Sequence, residues 1–313
     1  MVARMLRFPR GRSVAWLLLV LAATAAASSL GAGGIVVIQT DFGLKDQAVA
    51  AMRGVIRSVD RELIVDDLTH EIPAYDVWEA AYRLNAVVDY WPAGTIFVSV
   101  VDPGVGTSRK SIVARLQNGL TIVTPDNGTL TLVAERIGIA AVREIDERTH
   151  RLLGSEGSYT FHGRDVYAYV AALLASGKLK FDDVGPLQSD IVRIDYERAR
   201  YGGGRILGGI PVLDPQYGNV WTNIPATMLD SLGVRVGDRV ALTIIEGGVT
   251  RATLTAAYAH TFGDVPVGDP LLYVNSVGMV AVAINQRNFA SIHGVASGPT
   301  WRVEITRASA ESP

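Results

Sequence analysis

The 313-residue chain contains no cysteine. Disulfides, thiolate nucleophiles, cysteine-held metals and a cysteine-linked lipid are therefore excluded. Histidine is scarce, with His70, His150, His162, His260 and His293 the only five. None stands at H-x-H or H-E-x-x-H spacing, so no metal site is expected. The nucleophile elbow G-x-S-x-G is missing, which argues against a serine-hydrolase triad. So is the phosphate cradle G-x-x-x-x-G-K-[ST], and Gly104-Val-Gly106-Thr-Ser-Arg109 lacks the third glycine of a dinucleotide fingerprint. No repeat of 20–50 residues points to a solenoid.

Acidic residues are absent before Asp41, while Arg4, Arg7, Arg10 and Arg12 make a basic start. An apolar run from Val14 to Ala27 follows, ending in small residues at Ala25-Ala26-Ala27. This is the pattern of a secretory signal (residues 1–27), and the run is short for a membrane span. Cleavage near Ala27 and export to the periplasm or beyond are expected, with no membrane attachment afterwards; a true start downstream of this segment would instead leave the protein in the cytoplasm. The shortened chain keeps 25 basic against 31 acidic residues, a formal charge of −6. That balance disfavours nucleic acid or an anionic membrane surface as partner. An apolar content of 49% suffices for two cores that need no disulfides.

Ile35–Thr40 reads as a buried strand ending in Asp41-Phe42-Gly43. Asp41 either caps the following helix or accepts hydrogen bonds from a ribose diol. Helices are expected over residues 46–58 and 75–88, the second with Val77, Ala80, Ala81, Leu84, Val87 and Val88 on one stripe. Leu63–Leu68 and Ile96–Val100 are strands, and Asn118-Gly119 marks a hairpin between Ser111–Leu116 and Leu120–Thr124. Pro125-Asp126-Asn127-Gly128 opens a short helix, Ala141–Ile145 is a strand, and a helix runs from Asp165 to Ser176 before Gly177. This alternation predicts an α/β domain over residues 34–196, its largely parallel sheet flanked by helices. Past Tyr201-Gly-Gly-Gly204, read as a linker or loose turn, the apolar runs are short and separated by turns such as Gly247-Gly248. They predict a small C-terminal antiparallel β-barrel over residues 197–308.

Three places could carry chemistry. Asp102-Pro103-Gly104-Val105-Gly106 breaks the chain at the end of a strand, where open α/β sheets bind ligands. Asp102 and Arg109, seven residues on, can pair there as carboxylate and guanidinium; an ordinary surface ion pair is the alternative. His162, between Phe161 and Gly163 before a helix, is either a packed histidine or a group titrating near neutrality. Asp214 and Asn219 suit the charged and amide ends of a zwitterion, or a simple β-turn, and Ser276 follows as a weaker candidate.

Thr40-Asp-Phe-Gly43, Val101-Asp-Pro-Gly-Val-Gly106, Pro125-Asp-Asn-Gly128, Thr160-Phe-His-Gly-Arg-Asp165, Asp214…Gly218-Asn219 and Thr222-Asn-Ile224 occur in the order of one known family. From about Ile35 to Ile305 the chain resembles the S-adenosyl-L-methionine (SAM) hydroxide adenosyltransferases, relatives of the SAM-dependent fluorinase and chlorinase. The resemblance implies an α/β domain followed by a β-barrel, and a homotrimer with its site between subunits. It implies hydrolysis of SAM to adenosine and L-methionine by attack of water on the ribose 5′ carbon, with SAM as substrate and no cofactor. Asp102, Arg109 and His162 match the family's catalytic trio, Asp41 its ribose ligand, and Asp214, Asn219 and Ser276 the positions around methionine. The fluorinase carries tyrosine in place of Asp102, serine in place of Gly163, and arginines in place of Val277 and Ile284. The alternatives are a SAM-dependent halogenase on the same fold and a periplasmic nucleoside-binding protein without turnover.

Overall fold

The computed structural model describes residues 34–308, so the secretory segment expected over residues 1–27 lies outside the described residues. The first half is built on a seven-stranded sheet. Strands β1 (Ile35–Thr40), β2 (Ile64–Thr69), β3 (Ile96–Val100) and β5 (Thr121–Pro125) lie parallel in the order β2-β1-β3-β5. Helices α1 (Ala48–Val59) and α2 (Val77–Val87) are the crossovers that parallel neighbours require. Strand β4 (Ser111–Leu116) is antiparallel to β5, because the Asn118-Gly119 turn, with Gly119 at φ +85°, leaves no room for a crossover. Strands β6 (Ile139–Glu144) and β7 (Leu187–Gln188) add two further antiparallel pairings. The sheet is mixed and mostly parallel.

Side chains alternate between its faces. Val36, Ile38, Val98 and Val100 pack with Met52 and Ile56 of α1 and with Val170 of α4 (Tyr169–Ala175). Val37, Phe97 and Ile122 pack against Leu84 of α2 and Val133 of α3 (Thr131–Arg136) on the other side. Covering both faces explains why these strands read as continuous apolar runs. The helix expected from Asp165 begins earlier, as a π turn over Gly163–Ala168 that leads into α4.

The second half is one nine-stranded sheet. In chain order its strands are β8 (Arg200–Gly202), β9 (Arg205–Ile210), β10 (Val212–Leu213), β11 (Val220–Pro225), β12 (Arg239–Glu246), β13 (Val249–Tyr258), β14 (Pro270–Val274), β15 (Met279–Ile284) and β16 (Gly298–Arg307). They neighbour one another as β10-β11-β15-β14-β13-β12-β16-β9-β8, antiparallel except between β13 and β14. The C-terminal half is thus a large, mostly antiparallel sheet, with β10 and β8 at the ends of its hydrogen-bonded order. Strand β9 does come against β11, where Asn223 Oδ1 accepts the Gly209 N–H at 2.8 Å. A Cβ on Gly208 would stand 2.3 Å from Ile224 Cγ1, so only glycine permits that approach. Ile206, Ile224, Leu242, Ile244, Val282 and Val303 fill the core between them.

Of the two readings of Tyr201-Gly-Gly-Gly204, linker or loose turn, the structure has the turn, which closes the β8–β9 hairpin. Gly247 and Gly248, at φ +55° and +87°, form the two-residue turn expected between β12 and β13. The two halves touch: the Tyr82 and Trp221 rings lie 6.3 Å apart, and Arg83 Nη2 donates to the Leu213 carbonyl at 3.1 Å.

Candidate active site

The carboxyl ends of β1 and β3 open into a cavity of about 270 Å³, lined among others by Asp41, Tyr75, Asp102, Phe161, His162 and Gly163. Asp102 leaves β3 in a turn closed by the Val105 N–H to the Asp102 carbonyl (3.3 Å) and the Thr107 N–H to the Gly104 carbonyl (3.0 Å). Asn127 anchors the turn's start by donating Nδ2 to the Val101 carbonyl at 2.8 Å. A Cβ at Gly104 would sit 3.1 Å from Arg109 Cγ, so the missing side chain lets the arginine fold back across the loop.

Arg109 then becomes a hub. Its Nε lies 3.0 Å from both Asp102 oxygens, and its Nη2 donates to Asp102 Oδ2 at 2.6 Å. The same Nη2 meets His162 Nδ1 at 2.6 Å, while Nη1 donates to Ser111 Oγ at 2.9 Å. A guanidinium only donates, so His162 Nδ1 is the acceptor and the neutral ring carries its proton on Nε2. The three side chains are 6%, 10% and 6% exposed for Asp102, Arg109 and His162, which takes the pair out of the class of weak surface bridges.

Burial sets the charges. It pushes the His162 pKa below the ordinary imidazole value, Glu147 opposes this, and Arg109 and Arg151 add to it. Burial also works against the Arg109 charge, but the hydrogen bond to Asp102 and the nearby anions more than compensate, so its pKa is raised. The Tyr167 hydroxyl, fully buried 3.1 Å from Ser111 Oγ and 3.5 Å from Asp102 Oδ2, is driven far up and stays protonated. The assembly is an ion pair joined to a neutral imidazole.

His162 is delivered by the π turn that precedes α4, a local distortion common at functional sites. The Phe42 and Phe161 rings, 5.8 Å apart edge to face, pack over Gly163, where a Cβ would lie 3.1 Å from Phe42 Cε2. Asp41 does not cap α1: the residue at that N-cap is Gln47, and Asp41 Oδ2 instead accepts the Tyr75 N–H at 2.9 Å. Tyr75 has φ +69°, strained for a tyrosine, and is exposed beside the cavity. Sequence reasoning missed Tyr75, since nothing in Pro73-Ala-Tyr75 announces a left-handed residue.

Asp214, Asn219 and Ser276 lie elsewhere, around a wider cavity of about 970 Å³ with Trp221, Phe262 and Tyr273. Asp214 makes the expected turn, Oδ1 accepting the Gln216 and Tyr217 N–H groups, and its Oδ2 accepts Asn219 Nδ2 at 3.3 Å. The turn alternative for this motif is therefore present, and it places the Asp214 carboxylate beside the Asn219 amide. Ser276 is exposed at the rim. Thus Asp41, Asp102, Arg109 and His162 are brought together, and the other three residues form a separate group.

Residues 36–185 match the SAM hydroxide adenosyltransferase N-terminal domain, and residues 208–302 match the C-terminal domain of the same family. The chain belongs to that family. It is 38% identical to the (R)-S-adenosyl-L-methionine hydrolase of Salinispora tropica over 269 residues, 84% of this chain and 95% of that one. Its identity to the fluorinase of an Actinoplanes species is 29%, over 88% of this chain and 98% of the other. An uncharacterized conserved protein from Thermotoga maritima, known from its crystal structure, superposes with a TM-score of 0.80 at 35% identity, covering 87% of this chain and all of the other. In the family frame, the 270 Å³ cavity belongs to the N-terminal domain and the 970 Å³ cavity to the C-terminal one.

Proposed function

We propose that the protein hydrolyses SAM to adenosine and L-methionine. The observation that carries this is the buried contact of Asp102, Arg109 and His162 at the mouth of a cavity, in a chain sharing 38% identity with a SAM hydrolase. Water forms the new bond to the ribose 5′ carbon as the bond from that carbon to sulfur breaks. The bonding pair leaves on sulfur, which becomes the neutral thioether of methionine. A sulfonium needs no acid or metal to depart, so no cofactor is invoked. What remains for the protein is to place one water in line and take its proton.

Asp102 is the residue for that task. Arg109 and Tyr167 crowd Oδ2, whereas Oδ1 faces only the Arg109 Nε–H and keeps capacity for a water. His162 already spends its Nδ1 lone pair on Arg109. We assign it to hold the guanidinium in place. Asp41 keeps Oδ1 free for a ribose hydroxyl, with Oδ2 fixed by Tyr75.

At about 270 Å³ the first cavity is at the small end for a ligand site, typically about 300–1,000 Å³. The second cavity adds further aromatic faces and the Asp214–Asn219 pair for a zwitterionic amino acid. The two share no lining residue. A homotrimer in which one subunit's first domain faces its neighbour's second would unite them, and this arrangement belongs to the same proposal. Residues 1–27 belong to it too, as an export signal cut near Ala27; the N-terminal sequence of the secreted protein tests that point.

Incubation of the protein with SAM, followed by chromatography, tests the activity. Adenosine and methionine are the expected products. Tight nucleoside binding without product would identify a binding protein instead. A halogenase would form 5′-chloro-5′-deoxyadenosine once chloride is added, an outcome disfavoured by the anion's repulsion from Asp102.

A further inference from the structure

Behind Arg109, on the side away from Asp102, lies a second polar cavity of about 410 Å³ that reaches solvent past Thr107, Lys110, Glu147 and Arg148. Glu147 stands between this cavity and the trio. Its Oε1 accepts the Ser111 hydroxyl at 2.6 Å and lies 4.0 Å from Arg109 Nη1. Its Oε2 lies 3.8 Å from both His162 Nε2 and Arg151 Nη1. Among the described residues those two buried nitrogens have no hydrogen-bond partner. Two unmet donors thus converge on one carboxylate oxygen, from opposite parts of the same cluster. An unmet buried donor is costly, so any small movement that shortens these gaps is favoured.

The tautomer gives this arrangement a consequence. Because Arg109 Nη2 can only donate, Nδ1 of His162 must stay bare for the 2.6 Å contact to exist. The proton must then remain on Nε2, and the acceptor that faces Nε2 is Glu147. We infer that Glu147 is a positioning residue for the proposed hydrolysis, one that holds the His162 proton on Nε2 and so keeps Nδ1 available to lock Arg109 against Asp102. Through Ser111 the same carboxylate also fixes the other arm of the guanidinium. Glu147, Ser111, Arg109 and His162 form a ring open only at the 3.8 Å gap between Glu147 and His162, and His162 and Asp102 face the substrate cavity. Outer partners of this kind commonly set both the tautomer and the orientation of a functional imidazole.

The inference deepens the hydrolase proposal and rests on it for its kinetic part, whereas the tautomer can be read without turnover. Nitrogen-15 labelling of the five histidines, with the His162 signals assigned by their loss in His162→Gln, shows which ring nitrogen bears the proton. Wild type should show a bare Nδ1 and a protonated Nε2. Glu147→Leu should give a mixture of tautomers, and kcat should fall roughly tenfold to a hundredfold with KM changed far less. Glu147→Gln keeps the shape and serves if the leucine variant does not fold. By losing the charge that opposes burial and the two arginines, it should move the acid limb of the pH–rate profile to lower pH. Wild type carrying its proton on Nδ1, or variants with wild-type kcat and an unchanged acid limb, would overturn the inference. Absence of adenosine from wild type would sink the hydrolase proposal alone, because the nitrogen spectra still decide the tautomer.

Discussion

The two cavities divide the work of the molecule. The smaller is lined through charge and strain: a buried carboxylate held by a guanidinium, a neutral imidazole and a tyrosine at φ +69°. The larger holds one carboxylate among amides, aromatic rings, His260 and Arg287, and Asp214 and Asn219 are already tied into an ordinary turn. On the proposed reading, the first acts on a bond and the second holds a ligand. The difference teaches that affinity and turnover should be separable here by single substitutions.

The largest separation is expected at Asp102. Asp102→Ala should lower kcat by about 10²–10⁴-fold, the scale of a lost acid–base group, with adenosine affinity kept within a few-fold by calorimetry. Next comes Arg109→Met, which removes turnover and also strands the Asp102 charge. Breaking one side of such a buried pair costs about 3–5 kcal/mol, so denaturant unfolding should show a large loss. Asp102→Asn in the same chain should restore part of that stability but none of the activity.

Asp214→Ala is the converse. KM should rise by about tenfold to a hundredfold, as for loss of a site built to pair a polar group, while kcat stays within a few-fold. A fall in kcat without a change in KM would erase the division between the cavities.

The smallest effect concerns pH. The folded His162 holds its proton less tightly than the ordinary value of 6.5, chiefly through burial. Below 6.5 the unfolded chain therefore binds more protons than the folded one, and stability falls as pH drops from there toward the lower folded value. Each unit of difference is worth about 1.4 kcal/mol. His162→Gln should flatten this part of the stability curve measured by thermal unfolding.

How much of this was legible in the sequence depended on chain distance. The Asn118-Gly119 and Gly247-Gly248 turns were readable because glycine φ angles, one in the first and two in the second, decide them locally. Strand β11 was not, since Val220-Trp-Thr-Asn-Ile-Pro225 mixes polar residues with proline and becomes a strand only against β15. The antiparallel character of the second half was legible in its short apolar runs, which look alike whether or not their edges meet. In the site, the motifs pointed to Asp102, Arg109 and His162, which span 60 residues of chain yet share one guanidinium. Glu147 stayed hidden in Asp146-Glu-Arg-Thr-His-Arg151, which reads as a solvated charge run. Only the fold shows that Glu147 and Arg151 turn inward there, while Arg148 points to solvent.

The central claim is that water reaches the ribose 5′ carbon under the control of Asp102. Turnover of SAM in oxygen-18 water, read by mass spectrometry, tests it most directly. The label should appear in the 5′ hydroxyl of adenosine and be absent from methionine. Unlabelled adenosine, or heavy oxygen in the amino-acid product, would contradict the account.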